Sequence, residues 1–356
     1  MKIFKRLAIF LLASILIFTF NSCSPKGSVL TFAAFNTVIR IETHGTVVSA
    51  TTKNELKNLF SRLENSFDKD VDGSLVKRFN DLSFSGVINL NDEEFTVLNA
   101  AKICYDFSDG KFDPTVYPLT ELWGFSPYAY SPNFISPSQD QIDEKKALCD
   151  FSKIIISEQA KTLTKTHADV KLDLGGMVKG YAADAAAKIL TEAGHFAGYV
   201  SVGGSSLNLL KSQSLGLIHP RKEQNILTVN TQNYLNLSVS TSGDYERYHL
   251  GEDGKRFSHI IDPDSGYPAD TGVMSATLLG IDGAIGDGLT TALCLKSFDG
   301  ENGSELVLFI NRILAEYPQT AIFITYQSGT QKLIITNQTQ GTDFTLHDQA
   351  FEIYKI

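Results

Sequence analysis

The chain is poor in cysteine and carries no run of positive charge, and each shortage removes a class of function. Four cysteines occur in 356 residues. Cys23 falls in an N-terminal leader. That leaves Cys104, Cys149 and Cys294, an odd number that cannot form a complete disulfide framework. All three stand in apolar contexts, so buried thiols are expected. Lys and Arg number 31 against 40 Asp and Glu, a formal net charge of -9. With no basic stripe, the sequence has no footprint for a nucleic-acid partner. Also missing are a Walker A loop, His-Glu-x-x-His, Cys-x-x-Cys and Gly-x-Gly-x-x-Gly. Asp68-Lys69-Asp70-Val71-Asp72-Gly73 opens like a Ca²⁺ loop, but Phe79 stands where the bidentate Glu should be. Ser74-x-x-Lys77 lacks the Ser-Asp-Asn and Lys-Thr-Gly partners of the β-lactamases. An acidic chain without these devices can hold an anionic ligand only by local means: a metal ion, a lysine or backbone N–H groups.

What is present begins with the leader. Lys2, Lys5 and Arg6 precede an apolar run over residues 7–20, long enough for an export signal and short for a membrane span. Phe20-Asn21-Ser22-Cys23 then reads as a lipobox, with residues 1–22 as the signal peptide, Cys23 as the lipidated residue and 23–28 as a flexible tether. A plain secretory signal and an uncleaved anchor are the alternatives. The remainder, 29–356, shows no internal repeat, charge block or linker, and is expected to form one α+β domain.

Alternation and helical spacing divide this domain. Strands are expected over 29–43, 168–172, 198–202, 207–210, 215–219, 226–230, 235–241, 274–279, 320–326, 332–336 and 351–356. Helices are expected over 52–65, 92–107, 181–193, 304–314 and from 288, and a surface loop over 126–137. The strand at 168–172 would deliver Asp173-Leu174-Gly175-Gly176-Met177-Val178-Lys179-Gly180-Tyr181 into a turn before a helix. Glycines there admit close backbone approach, and a helix N-terminus favours anions. Three more segments are dense in glycine and polar groups. Gly110-Lys111-Phe112-Asp113-Pro114-Thr115-Val116 leads to Leu122-Trp123-Gly124-Phe125. Thr241-Ser242-Gly243-Asp244-Tyr245 leads to His259-Ile260-Ile261-Asp262-Pro263-Asp264-Ser265-Gly266-Tyr267-Pro268. The last is Gly286-Asp287-Gly288-Leu289-Thr290-Thr291-Ala292. Singly, each could be a turn, a helix cap or a core histidine.

Together and in this order, the segments resemble the ApbE family, the FAD:protein FMN transferases, over nearly all of the mature chain. Family members carry Gly-x-Phe-Asp-Pro-Thr-Val with Leu-Trp-Gly-Phe, Asp-Leu-Gly-Gly-Ile-Ala-Lys-Gly-Tyr, Thr-Ser-Gly-Asp-Tyr, His-Ile-Ile-Asp-Pro-x-x-Gly-Tyr-Pro and Ala-Asp-Ala-x-Ala-Thr-Ala. Met177 and Val178 replace Ile-Ala, and the last motif is matched loosely. The family's early Met-Gly-Thr aligns with Phe35-Asn36-Thr37. Its aromatic-preceded Asp-Ser-Glu-Leu-Ser-Arg-Phe-Asn aligns with Phe67 followed by residues 73–80.

The resemblance implies a T-fold-like α+β domain with mixed and antiparallel sheets and packed helices. It implies a phosphoryl transfer in which FAD is split, AMP leaves and FMN passes to a threonine of an exported acceptor of the redox-complex-subunit type. His259 and Asp287 would be catalytic. Gly176, Asp287, Thr291 and the adjacent Thr290 would hold Mg²⁺. Phe35, Phe67, Lys111, Phe112, Asp113, Asp173, Lys179 and Ile261 would contact FAD. The lipid at Cys23 would anchor the enzyme to the periplasmic face of the cytoplasmic membrane. An FAD pyrophosphatase dependent on Mg²⁺ and a non-catalytic flavin-binding lipoprotein are the competing readings.

Overall fold

A computed structural model describes residues 27–356 apart from Ser85, Pro127, Ala129 and Asn233; the leader and Cys23 lie outside the described residues. Nine strands form the main sheet: β1 (Ser28–Ala34), β2 (Thr37–Thr43), β3 (Gly198–Val202), β4 (Ser206–Lys211), β5 (Leu235–Gly243), β6 (Val273–Leu279), β7 (Ala321–Ser328), β8 (Gln331–Thr336) and β9 (Glu352–Lys355). Their order in space is their order in the chain. Every neighbouring pair is antiparallel except β8 with β9.

Five helices of twelve residues or more pack on one face: α1 (Ala50–Phe67), α2 (Asp92–Phe107), α3 (Val178–Glu192), α4 (Gly283–Cys294) and α5 (Glu305–Glu316). A three-stranded sheet (Ser214–Ile218, Asn225–Asn230, Phe344–Leu346) covers the other face. The pleat sorts the side chains between two cores. Ile322 and Ile324 of β7 join the helix-side core, while Phe323 between them joins the sheet-side core. This is a single α+β domain.

Three local expectations change. Residues 29–43 form a hairpin rather than one strand, turning at Phe35 and Asn36, both at φ 55°. Residues 168–172 are not in a strand. Val170 and Leu172 are buried, which accounts for the alternation, but the Leu172 backbone is held by the Asn80 side chain, which accepts from its N–H at 2.7 Å and donates to its carbonyl at 3.0 Å. The 126–137 loop sends Phe134 inward to stack on buried His249, ring centroids 4.4 Å apart. Cys104 and Cys294 are buried free thiols, and Cys149 is a half-buried one.

Candidate active site

The site is built where α3 and α4 cross over the middle of the sheet. The helices touch through glycines: a Cβ added to Gly180 would sit 2.0 Å from the Gly283 carbonyl oxygen, and one added to Gly283 would sit 2.5 Å from that of Gly180. Each helix carries an aspartate four residues after its glycine, and the two exchange bonds. The Gly180 N–H donates to Asp287 Oδ2 (2.8 Å), and the Gly283 N–H donates to Asp184 Oδ2 (2.7 Å). Beneath them the helix-facing positions of β4 and β5 are polar. Ser206, cross-strand from Ser240, donates to both Asp287 carboxylate oxygens at 2.9 Å. Asn208 and Ser238, the next such pair, donate to Asp184 Oδ1 at 2.8 and 2.6 Å. Buried carboxylates are tolerable only when bonded in this way.

The helix expected from residue 288 begins at Gly283 with Asp282 as its cap, its carboxylate accepting from the N–H groups of Ala284 and Ile285. Asp287 is therefore inside α4, aimed across at α3, and is not a cap. Burial pushes its pKa up to about 6, against the opposing pull of Lys179 and the bonds from Ser206 and Gly180. Thr290 and Thr291 both donate to the Asp287 carbonyl at 3.0 Å. Thr290 is fully buried and 2.9 Å from Ser242 Oγ; Thr291 is half-buried and 3.3 Å from the same hydroxyl. Gly176 is exposed in the turn before α3. Carboxylate, hydroxyl and backbone carbonyl are all hard oxygen donors, and the desolvated Asp287 carboxylate keeps a raised pKa although Lys179 opposes the rise. This chemistry fits Mg²⁺.

Around this centre the remaining residues sort into exposed and enclosed groups. Lys179 reaches from the first turn of α3 to Ser205 Oγ (3.0 Å) and has no carboxylate partner among the described residues. Asp173 is half-buried; its Oδ1 accepts from the Gly175 N–H (2.8 Å), and desolvation raises its pKa despite Lys69 and Arg247 nearby. Lys111 bridges Asp262 and Asp264, each at 2.8 Å, and so ties two motif loops together. Trp123 adds to this tie by donating from Nε1 to the Gly266 carbonyl (2.9 Å). Phe112 is buried, and Asp113 Oδ1 accepts the N–H and hydroxyl of Thr115 at 2.7 and 2.6 Å. Ile261 lies in the small core with Trp123, and Phe67 in the helix-side core, 4 % exposed. Phe35, at the β1–β2 hairpin tip, is partly buried, its N–H donating to Glu64 Oε1 (2.9 Å).

His259 follows a two-stranded ribbon, Tyr248–Leu250 paired with Arg256–Ser258. Its Nδ1 lies 3.2 Å from the Arg247 carbonyl oxygen. A carbonyl only accepts, so Nδ1 carries the proton and Nε2 keeps its lone pair. Desolvation, then the cations Arg247 and Lys179, push the imidazole down to about 3. It is neutral at any physiological pH.

The sequence assigns no role to Asp184, Ser206 or Ser240, and Ser242 enters only as a member of the Thr241–Tyr245 motif. The signal was there in part: serines on one face of β4 and β5 break an otherwise apolar pattern.

The model of the ApbE family matches residues 35–307. The FAD:protein FMN transferase of Vibrio cholerae is 28 % identical over 277 residues, 77 % of this chain and 80 % of that protein. That of Klebsiella pneumoniae is 30 % identical over 291 residues, 74 % and 89 %. Among solved structures, the ApbE protein of Thermotoga maritima superposes with a TM-score of 0.71 at 28 % identity, covering 85 % of this chain and 94 % of that one. The apo flavinyl transferase ApbE of Pseudomonas stutzeri, at 23 % identity and TM-score 0.72, shares the fold.

Proposed function

The chain belongs to the ApbE family, and on that premise we propose that it transfers FMN from FAD to a threonine hydroxyl of an exported acceptor protein, releasing AMP. The observation that carries the reading is the neutral His259, its Nε2 unprotonated, in a site that also holds Lys179 and the buried Asp287. The names of the relatives support it.

A phosphoryl transfer needs little covalent work from the protein and much positioning. His259 Nε2 accepts the hydroxyl proton as the threonine oxygen bonds to the FMN phosphorus and the bond to the AMP oxygen breaks. Lys179 is a compact cation for the pyrophosphate. Mg²⁺, held by Asp287, Thr291 and the Gly176 carbonyl, would neutralise charge on the phosphate oxygens. The polar seam under α3 and α4 keeps Asp287 from turning away. With the leader, the reaction belongs on the outer face of the cytoplasmic membrane, anchored through Cys23.

The test is direct. Purified protein with FAD, Mg²⁺ and a threonine-bearing acceptor peptide should give AMP and a peptide heavier by FMN in mass spectrometry. EDTA and Asp287→Ala should each lower turnover by about a thousandfold or more, the scale of a lost charge-stabilising group. AMP release without any adduct would point to hydrolysis, with water as acceptor. Full turnover in EDTA would remove the metal from the reading.

A further inference from the structure

Arg247 stands immediately before one strand of the ribbon and His259 immediately after the other. Tyr248 pairs with Ser258, so Arg247 and His259 are the next opposed pair, and the ladder extends to them: the His259 N–H donates to the Arg247 carbonyl at 3.0 Å. Directly opposed residues of an antiparallel pair project their side chains on the same face, with Cβ atoms about 5 Å apart. The guanidinium therefore emerges beside the imidazole.

Lys179 aside, the neighbouring cations are engaged. Arg221 forms a fork with Asp244 (2.7 and 2.5 Å), Lys255 meets Asp270 (2.9 Å), and Arg256 lies 3.7 Å above the Tyr248 ring. Arg247 is exposed, and its guanidinium has no carboxylate partner among the described residues, in a chain of net charge -9. Its field reaches two separate segments of the site, Asp173 and His259.

We infer that Arg247 is a second anion-binding residue of the reaction: its guanidinium grips the dinucleotide pyrophosphate on the His259 side, opposite Lys179. Its backbone carbonyl meanwhile fixes the tautomer that leaves Nε2 free. One residue thus aligns the base and the phosphorus it serves. The planar fork suits two phosphate oxygens at once, which a lysine cannot match. As the threonine oxygen bonds to phosphorus and the bond to AMP breaks, the negative charge moves onto the AMP phosphate, where the guanidinium can follow it. The hydroxyl proton goes to His259 Nε2 and the electron pair of the broken bond leaves with AMP.

This inference rests on the FAD reading, and the experiment separates the two. Binding of FAD, ADP and riboflavin is measured by calorimetry for wild type, Arg247→Gln and Arg247→Lys, with kcat and KM for FAD. None of these substitutions alters the backbone carbonyl that holds His259. Arg247→Gln should weaken FAD and ADP about tenfold to a hundredfold, the range of a lost charge-assisted bond. Riboflavin, which has no phosphate, should bind unchanged, and Arg247→Lys should recover part of the loss. If Arg247→Gln binds FAD and ADP like wild type with unaltered kcat and KM, the arginine assignment falls and the transferase reading stands. If wild type binds no FAD, both fall.

Discussion

Thr290 and Thr291 share two partners, Ser242 and the Asp287 carbonyl, but differ in burial, and a substitution that keeps their shape should separate them. Thr290→Val removes a buried hydroxyl from between Ser242 and the Asp287 carbonyl. The expected cost is about 1 kcal/mol of stability, read as a lower urea midpoint, with the proposed Mg²⁺ dependence unchanged. Thr291→Val should leave the midpoint almost unmoved and raise the Mg²⁺ concentration needed for half-maximal turnover. Equal Mg²⁺ curves for the two variants would remove Thr291 from the metal set. Sequence ranked these residues together, because adjacency says nothing about which hydroxyl faces outward. The same limit applies to Phe67 and Ile261: their types suit ring contacts, yet the fold encloses both. His259 was legible as a residue, but its tautomer depends on a carbonyl twelve positions earlier.

At the scale of elements, the crossing of α3 and α4 makes a prediction that runs against propensity. Alanine is better than glycine inside a helix by about 1 kcal/mol. Gly180→Ala should nevertheless destabilise, because its Cβ would meet the backbone of the other helix at 2.0 Å, and a backbone carbonyl cannot swing aside. A loss of about 3 kcal/mol, measured by denaturant unfolding, is expected from overpacking of this kind. A more stable alanine variant would show that the helices can separate without cost. Most elements were readable from periodicity, including α1, α2 and the strands of the sheet centre. The failures share a cause. Glycines at 283, 286 and 288 look like loop and hide the start of α4, whereas they are where the helix meets its neighbours: a Cβ at 288 would touch Cys104 Sγ at 2.6 Å. Residues 168–172 alternate as a strand does, but they pair with no strand among the described residues, and that is a tertiary fact.

Across the whole molecule, one carboxylate joins distant parts of the chain. Asp348 accepts from Lys222 Nζ, the Ala350 N–H (3.0 Å) and His219 Nε2 (3.1 Å), and these bonds, Lys222 foremost and Ala350 next, hold its pKa down to about 2. A carboxylate depressed on folding stabilises above its unfolded pKa near 4, and the contribution is lost as pH falls through 2. The stability difference between wild type and Asp348→Asn should thus be present at pH 7 and shrink steadily between about pH 4 and pH 2. A gap that stays constant over that range would mean the aspartate acts only through shape. Asp348 lies in the stretch after β8, which does two jobs. Phe344–Leu346 covers the lower face of the sheet, and β9 then caps β8 as the one parallel edge. Because sheet order follows chain order, each strand from β2 to β8 lies between its sequence neighbours, and only β1 and β9 are edges. Residues 337–356 supply one of the three strands beneath the sheet and, through β9, pair the outer side of β8. Without β9, Leu333, Ile334 and Ile335 would form a bare β-edge that another copy could extend, so one short parallel strand guards the sheet against edge-to-edge aggregation.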